Sequence, residues 1–562
     1  MRYTYLWVLL LIAPSLLVAQ TKPQPSRRPV PMAVPESTAK KDSTERSTEA
    51  PLPKIDLPEY DITGTLVPGV GSASKLSGDG GAGLDLLGMM NRLEREPGWY
   101  DQGGWKASPA SAVVPGARAG RVLVGYSSFQ TPMIEGWYSP ATEDYDMVMR
   151  AGYTSSGGHV ENADYRRGHA SFGLSWAFGE QNGILSRSTL GMSAAFAGQR
   201  YRLYGSSFPA QARGINHFAS GVVLSGVSWS GLRLDGSVSL SGTSLQDPLS
   251  AQQNRIGLAL SLNRDGQDID FEAGLDLAFG SYSGPVPTQD PLYSRLHFLA
   301  RKEIVKELVL RLGLSGNVLR GSDEDFHGRL YPLASVSWYP KDGIEVFVRF
   351  QPTVLERTLA DVLGNNPYVS SGPTVRNQEI STDVLLGTEL AILRQFRVRL
   401  ITQYQRMGNY LTFVDSAQTG VWLPWYEGTS SLVSVGGDLM WELTVADLIS
   451  ATVRSTLSHN SATGEKIPYV PAVRIDFGYA HWFPFGLRVT GDARLIGSRS
   501  IDLGDTRGLA PAFLVDAGAE YVFLPGWRAM GKLDNLLGAK FVVWDRYAGL
   551  PRSVSLAVSY TW

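Results

Sequence analysis

From Gly120 to Trp562 apolar and polar side chains occupy alternate positions through one segment after another, a period-two pattern that specifies β-strands with one dry face and one wet face. Ile269, Phe271, Ala273, Leu275, Leu277 and Phe279 alternate with Asp268, Asp270, Glu272, Gly274, Asp276 and Ala278. Leu232, Leu234, Val238 and Leu240 oppose Arg233, Asp235, Ser237 and Ser239, and Ile344, Val346, Val348 and Phe350 oppose Glu345, Arg349 and Gln351. The pattern recurs at Leu487–Leu495 and is cleanest at the end, where Val554, Leu556, Val558, Tyr560 and Trp562 alternate with Ser553, Ser555, Ser559 and Thr561. A two-sheet sandwich alternates as well. Charge on the polar face of strand after strand suits a water-filled lumen better than a closed core.

The connections sharpen the choice. Short turns are expected at Gly179–Gly183, Asn263–Gln267, Pro340–Gly343, Pro484–Gly486 and Pro525–Gly526. They alternate with longer polar loops at Ser155–Arg167, Ser283–Pro291, Thr353–Asn377 and Asp415–Ser430. Short turns at one end and long loops at the other is the layout of outer-membrane barrels. Pairing begins with Arg121–Phe129, Thr131–Ser139, Asp144–Ser155 and Gly168–Phe178, and ends with Arg528–Trp544 and Arg552–Trp562. The fold expected is all-β: a transmembrane antiparallel up-and-down β-barrel of about 22 strands over residues 119–562. A mean hydropathy of −0.08 does not contradict this, because lipid-facing and lumen-facing residues cancel in the average. No later segment reaches the ~18 apolar residues of a spanning helix.

The N-terminus sets the compartment. Met1-Arg2 precedes an apolar run from Tyr5 to Ala19, and Leu17-Val18-Ala19 before Gln20 reads as a cleavage site, so residues 1–19 are expected to be a signal peptide. Residues 20–54, rich in Pro, Ser and Thr, are expected to form a disordered periplasmic linker. Residues 55–118 are too few for a large domain. They contain a glycine-rich stretch in which Gly78, Gly80 and Gly83 match G-x-G-x-x-G, but no strand precedes it, so a dinucleotide-binding reading fails. Leu84, Leu86, Leu87, Met90 and Leu93 could form one helical face.

Other classes are excluded by what the chain lacks. There is no cysteine, which removes disulfides, thiol catalysis and a lipoprotein anchor. A formal charge of −2 gives no case for nucleic acid. The seven histidines are scattered without metal-ligand spacing, and no G-x-S-x-G elbow or phosphate loop occurs, so neither enzyme activity nor a cofactor is expected.

The final residues resemble the barrel of TonB-dependent outer-membrane receptors. The likeness is carried by Leu514-Val515-Asp516, by Leu533–Phe541, and by Leu550-Pro551-Arg552-Ser553 ahead of Trp562. Ile467–Pro471, Asn366-Pro367-Tyr368 followed by Glu379, and Gly125–Pro132 are similar too. The resemblance implies that Tyr560 and Trp562 are read by the barrel-assembly machinery. It also implies that Ile55, Asp56, Leu57, Glu59, Tyr60, Asp61, Ile62 and Thr63 form a TonB-box-like strand for a periplasmic TonB-type partner. Such receptors carry a plug inside the barrel, and residues 55–118 are less than half of one, a short pseudo-plug at most. The leading expectation is a receptor-like barrel in outer-membrane lipid that admits or imports a solute. The alternative is a non-transporting scaffold or assembly subunit whose lumen is closed by a partner protein.

Overall fold

The computed structural model describes residues 119–562, except 141–144, 181–182, 267, 286–288, 323 and 394. The expected signal peptide, linker, TonB-box-like segment and pseudo-plug therefore lie outside the described residues.

One antiparallel sheet contains 23 hydrogen-bonded segments. Two of them, Ile344–Phe350 and Thr353–Leu355, both pair with Gln378–Leu393 and form a single broken strand, so the ring has 22 strands. In chain order β1 is Ala119–Ser127, β2 Thr131–Ser139, β3 Tyr145–Ser156, β4 Tyr165–Ala177, β5 Thr189–Arg202, β6 Ala212–Trp229, β7 Leu232–Gln246 and β8 Ala251–Arg264. They are followed by β9 Asp270–Ser283, β10 Leu292–Val305, β11 Leu308–Arg320, β12 His327–Lys341, the broken β13, β14 Gln378–Leu393 and β15 Phe396–Val414. The wall ends with β16 Leu423–Glu442, β17 Asp447–Asn460, β18 Val473–Trp482, β19 Leu487–Ile496, β20 Ala512–Leu524, β21 Trp527–Asp534 and β22 Ser553–Thr561. Each strand pairs with its neighbours in sequence, and β22 pairs back onto β1 from Arg121↔Thr561 to Ser127↔Ser555.

The seam is closed by the last residue. Trp562 and Gly120 exchange both backbone hydrogen bonds at 3.0 Å. A Cβ at position 120 would stand 2.3 Å from the indole, so only glycine leaves room for that ring. The indole stacks on Tyr560 and Tyr138. Trp176, Trp229, Trp338, Trp441, Trp482 and Trp527 are also exposed, each close to the same end of the wall, and together they form an aromatic girdle.

The alternation read from the sequence is the outside–inside alternation of the wall. Phe271 and Phe279 of β9, Val238 and Leu240 of β7, and Leu556 and Val558 of β22 are exposed on the outer face. Inside, Arg454 chelates Asp438 at 2.8 and 3.0 Å, Asp476 bridges Arg474 and Arg494, and Arg528 meets Glu520 at 2.6 Å. An apolar exterior with a charged, paired interior is that of a membrane-spanning barrel.

Several boundaries differ from expectation. The segment Arg528–Trp544 is not one strand: β21 stops at Asp534, and Asn535 turns out with φ +49°. The expected loop Asp415–Ser430 is shorter, because β16 starts at Leu423 and is twenty residues long. Pro340 lies within β12 beside an irregular register, where a missing N–H is tolerated. Long connections at 461–472, 497–511 and 535–552 were not expected from polarity alone.

Arginine at Val238, on the lipid face, is expected to destabilise the folded barrel by about 2–4 kcal/mol, whereas arginine at the adjacent lumen position Ser237 should cost less than about 1 kcal/mol. Denaturant titration of the two variants in lipid vesicles checks this.

Candidate functional site

Most of the long connections leave the wall at the end opposite Trp562, and there they fold together; the connection 178–188, expected to be a short turn at Gly179–Gly183, is eleven residues long and lies at the Trp562 end. The largest buried apolar cluster of the described residues is not inside the wall but in this mouth: it joins Leu359, Val362, Leu363, Tyr368, Val369, Trp422, Tyr469, Ile501, Trp544 and Tyr547 to strand ends at Tyr201, Leu245, Tyr282 and Phe413. The expectation of a polar loop at Thr353–Asn377 is thus corrected. That segment holds a short helix, Leu359–Asn365, whose first turn is capped by Thr358 and Asp361 in a reciprocal capping box. Leu359, Val362 and Leu363 are all buried.

A buried charge pair seats the segment. Arg213, at the start of β6, meets Asp247 at 3.0 Å, with 1% and 0% of the two side chains exposed. Its guanidinium also donates to the carbonyls of Pro367, at 3.2 Å, and Val369. Ser371 donates to Asp247 as well, and Tyr282 donates to the Pro373 carbonyl. Removing one partner of such a pair leaves a bare charge in a dry site, at a cost of about 3–5 kcal/mol.

From this anchor, contacts continue across the mouth. The backbone of 368–370 exchanges hydrogen bonds with Trp422, and the Trp422 indole donates to the Tyr469 hydroxyl at 3.1 Å. Tyr469 lies in the connection after β17, half-way round the ring from β6. The Tyr469 ring is 4.4 Å from Trp544, and Tyr368 stacks on Tyr547 with centroids 3.6 Å apart. Tyr547 donates to the Gly420 carbonyl and Tyr204 to the Ala548 carbonyl, tying the 203–211, 415–422 and 535–552 connections together. A Cβ at Gly420 would stand 2.3 Å from the Gly205 carbonyl, so these two backbones touch because neither carries a side chain there. The wall of a 22-strand barrel is on the order of 40 Å across. The loops thus form a cap packed from one wall to the other.

Burial raises the Tyr368, Tyr469 and Tyr547 phenols well above the ordinary tyrosine range. A raised value in the folded state makes their contribution complete below a pH of about 10 and lost progressively above it.

The structure places the sequence-derived residues unevenly. Tyr560 and Trp562 lie at the closing seam, far from the cap, while Ile55–Thr63 fall outside the described residues. Asn366-Pro367-Tyr368 and Ile467–Pro471, noticed for their family likeness, are cap residues. Arg213, Asp247, Trp422, Trp544 and Tyr547 were missed. Large aromatic residues inside nominally polar loops were the available signal.

No family model matches the chain, and no curated protein does. Solved structures do match. The FrpB iron transporter from Neisseria meningitidis superposes with a TM-score of 0.63 over 79% of this chain and 81% of its own, at 10% identity. The two chains share one barrel fold. The siderophore receptor PiuA from Acinetobacter baumannii matches at 0.60, with 11% identity and coverage of 79% and 82%. A variant of the ferric enterobactin receptor PfeA from Pseudomonas aeruginosa matches at 0.62, with 12% identity and coverage of 80% and 81%. These proteins are transporters and receptors, and at such identity the likeness is one of fold.

Because the chain has no cysteine, a single one is a clean reporter. In a Leu363→Cys background, adding Arg213→Ala is expected to speed labelling by a membrane-impermeant maleimide at least about tenfold, in line with loss of the buried pair. Unchanged labelling would mean that Arg213 does not hold the cap.

Proposed function

We propose that this protein is an outer-membrane transport barrel of the TonB-dependent receptor kind, in which the loops themselves close the outer mouth and must part to admit a solute. The observation that carries the reading is the cap: a wide, charged lumen needs a closure, and here the chain supplies it at the loop end. The solved structures of similar fold support transport as the general activity. Long loops face outward and tight turns face the periplasm in such barrels. On this reading Ala119 and Trp562 lie at the periplasmic end. Residues 1–19 serve as the signal peptide, 20–54 as the periplasmic linker, and Tyr560 with Trp562 as the assembly signal.

Residues 55–118 would then face the lumen from the periplasmic side. Ile55, Asp56, Leu57, Glu59, Tyr60, Asp61, Ile62 and Thr63 would offer an extended edge to a TonB-type protein, which binds by adding a strand. The alternative, a scaffold whose lumen is closed by a partner, loses its main motive, because the mouth has an internal seal.

In planar bilayers the full chain is expected to conduct little, whereas replacing residues 357–376 with a short Gly/Ser turn should raise conductance at least about tenfold, as expected when a plugged lumen becomes a water channel. Equal, negligible currents from both would defeat the transport reading. Deleting residues 55–63 should abolish capture by a TonB-type periplasmic domain and leave conductance unchanged. Retained capture would remove the TonB-box assignment.

A further inference from the structure

The outer face of β4, β5 and β6 carries a feature that the mouth does not use. Even-numbered residues of these strands point away from the lumen, and Phe172, Trp176, Met192, Phe196, Phe218 and Val222 form the exposed apolar belt there. Toward the loop end, beyond the outward glycines Gly168 and Gly198, Arg166 and Arg200 take outward positions. They are direct cross-strand partners, and both are exposed. Like charges placed opposite each other on one face of a sheet repel. Nearby arginines are neutralised: Arg202 meets Asp164 at 3.1 Å, and Arg213 meets Asp247. Among the described residues no carboxylate pairs with either Arg166 or Arg200.

The surface below this pair is hollow. Gly168 faces Gly198 across one ladder and Arg200 faces Gly214 across the next, so three outward positions lack side chains. The Asn216 side chain lies over Gly198 and that of Gln246 over Gly214. The result is a groove of about 540 Å³ on the outer face, with the two guanidiniums at its rim and the Tyr153 and Phe196 rings beside it. A second groove, sharing Phe196, Asn216 and Gln246, extends it over β7 and β8 past Gln252 and Asn254.

We propose that this groove binds the phosphorylated sugar headgroup of an outer-leaflet lipid. Paired guanidiniums match a phosphate by charge and by bidentate hydrogen bonding. The amides of Asn216 and Gln246 match sugar hydroxyls, each offering both a donor and an acceptor. The Phe196 ring lies on the belt side, where acyl chains run, and the Tyr153 ring flanks the groove opposite Gly168. The two guanidiniums and the Gln246 amide stand on one ladder level, Asn216 and Tyr153 on the next, and Phe196 beyond them, so charge and amides together precede the apolar belt as phosphate and sugar precede the chains of such a lipid. A free phosphate would gain nothing from the rings. The proposal rests on outer-membrane placement with the loops outside, and not on transport.

The test uses the purified full-length protein in detergent, with lipid binding read by native mass spectrometry. The probes are an acylated glucosamine disaccharide carrying two phosphates and its dephosphorylated counterpart. Wild type is expected to bind the phosphorylated lipid at least about tenfold more tightly, equivalent to ~1.4 kcal/mol. In Arg166→Gln/Arg200→Gln that preference should vanish, and in Arg166→Lys/Arg200→Lys, which keeps the charge but loses the bidentate geometry, it should be intermediate. Resistance of unheated protein to detergent unfolding on gels shows that each variant is a closed barrel. Equal binding by wild type and the glutamine variant, equal affinity for the two lipids, or full displacement by inorganic phosphate would overturn the proposal. The 357–376 replacement separates the two readings: it should leave lipid binding unchanged, and loss of binding there with both arginines present would also overturn it.

Discussion

Every backbone N–H and C=O that enters hydrocarbon must find a partner in the protein, and this chain meets that demand by pairing its last strand with its first. The seam from Arg121↔Thr561 to Ser127↔Ser555, completed by the reciprocal bonds of Gly120 and Trp562, removes the only free edges the sheet would otherwise have. Much follows from that closure. With every pair antiparallel, the strand count must be even and both ends of the wall emerge on one side. The lipid face is then a continuous apolar surface, and the charged face is enclosed.

The cap is the second consequence. Loops gathered around one rim of a ring face each other across it, and if they carry apolar residues they can bury them only against one another. Here Val369, Trp422, Tyr469, Ile501 and Trp544 come from separate connections and form one core. Burial of large aromatic side chains supplies the driving force. The Arg213–Asp247 pair adds little net stability of its own, since desolvation offsets its attraction, but it fixes where the 367–371 backbone sits. A closure that combines an adaptable aromatic core with one specific charged latch can hold a resting state and still have a definable opening step.

The wall was legible in the sequence because its rule is local: each residue of β9 or β22 faces oil or water according to parity, and parity can be read along the chain. The count of about 22 strands came from that rule together with the alternation of short turns and long loops, while the role given to Trp562 came from the family resemblance. The cap was not legible, because its contacts join Arg213 to Val369, Tyr204 to Ala548 and Trp422 to Tyr469, pairs with no fixed spacing. Thr353–Asn377 looked polar on average, yet Leu359, Val362 and Leu363 form a small apolar helical face within it. Composition hid the pattern there, since threonine, asparagine and glycine flank the helix as caps and turns. The strand misread as Arg528–Trp544 failed for a related reason: Val542–Trp544 has strand-like residues but pairs with Tyr547–Ala548 in a loop hairpin rather than in the wall.

The central claim is that the loops close the mouth as a packed, hydrogen-bonded body. Backbone amide exchange of the intact protein in lipid nanodiscs addresses it residue by residue. The account predicts that amides of 359–370 exchange on the slow timescale of strands such as β15 and β16, because they lie in a buried core. Complete exchange of those amides within seconds, alongside protected strands, would mean that the mouth is open and the cap does not exist in the membrane.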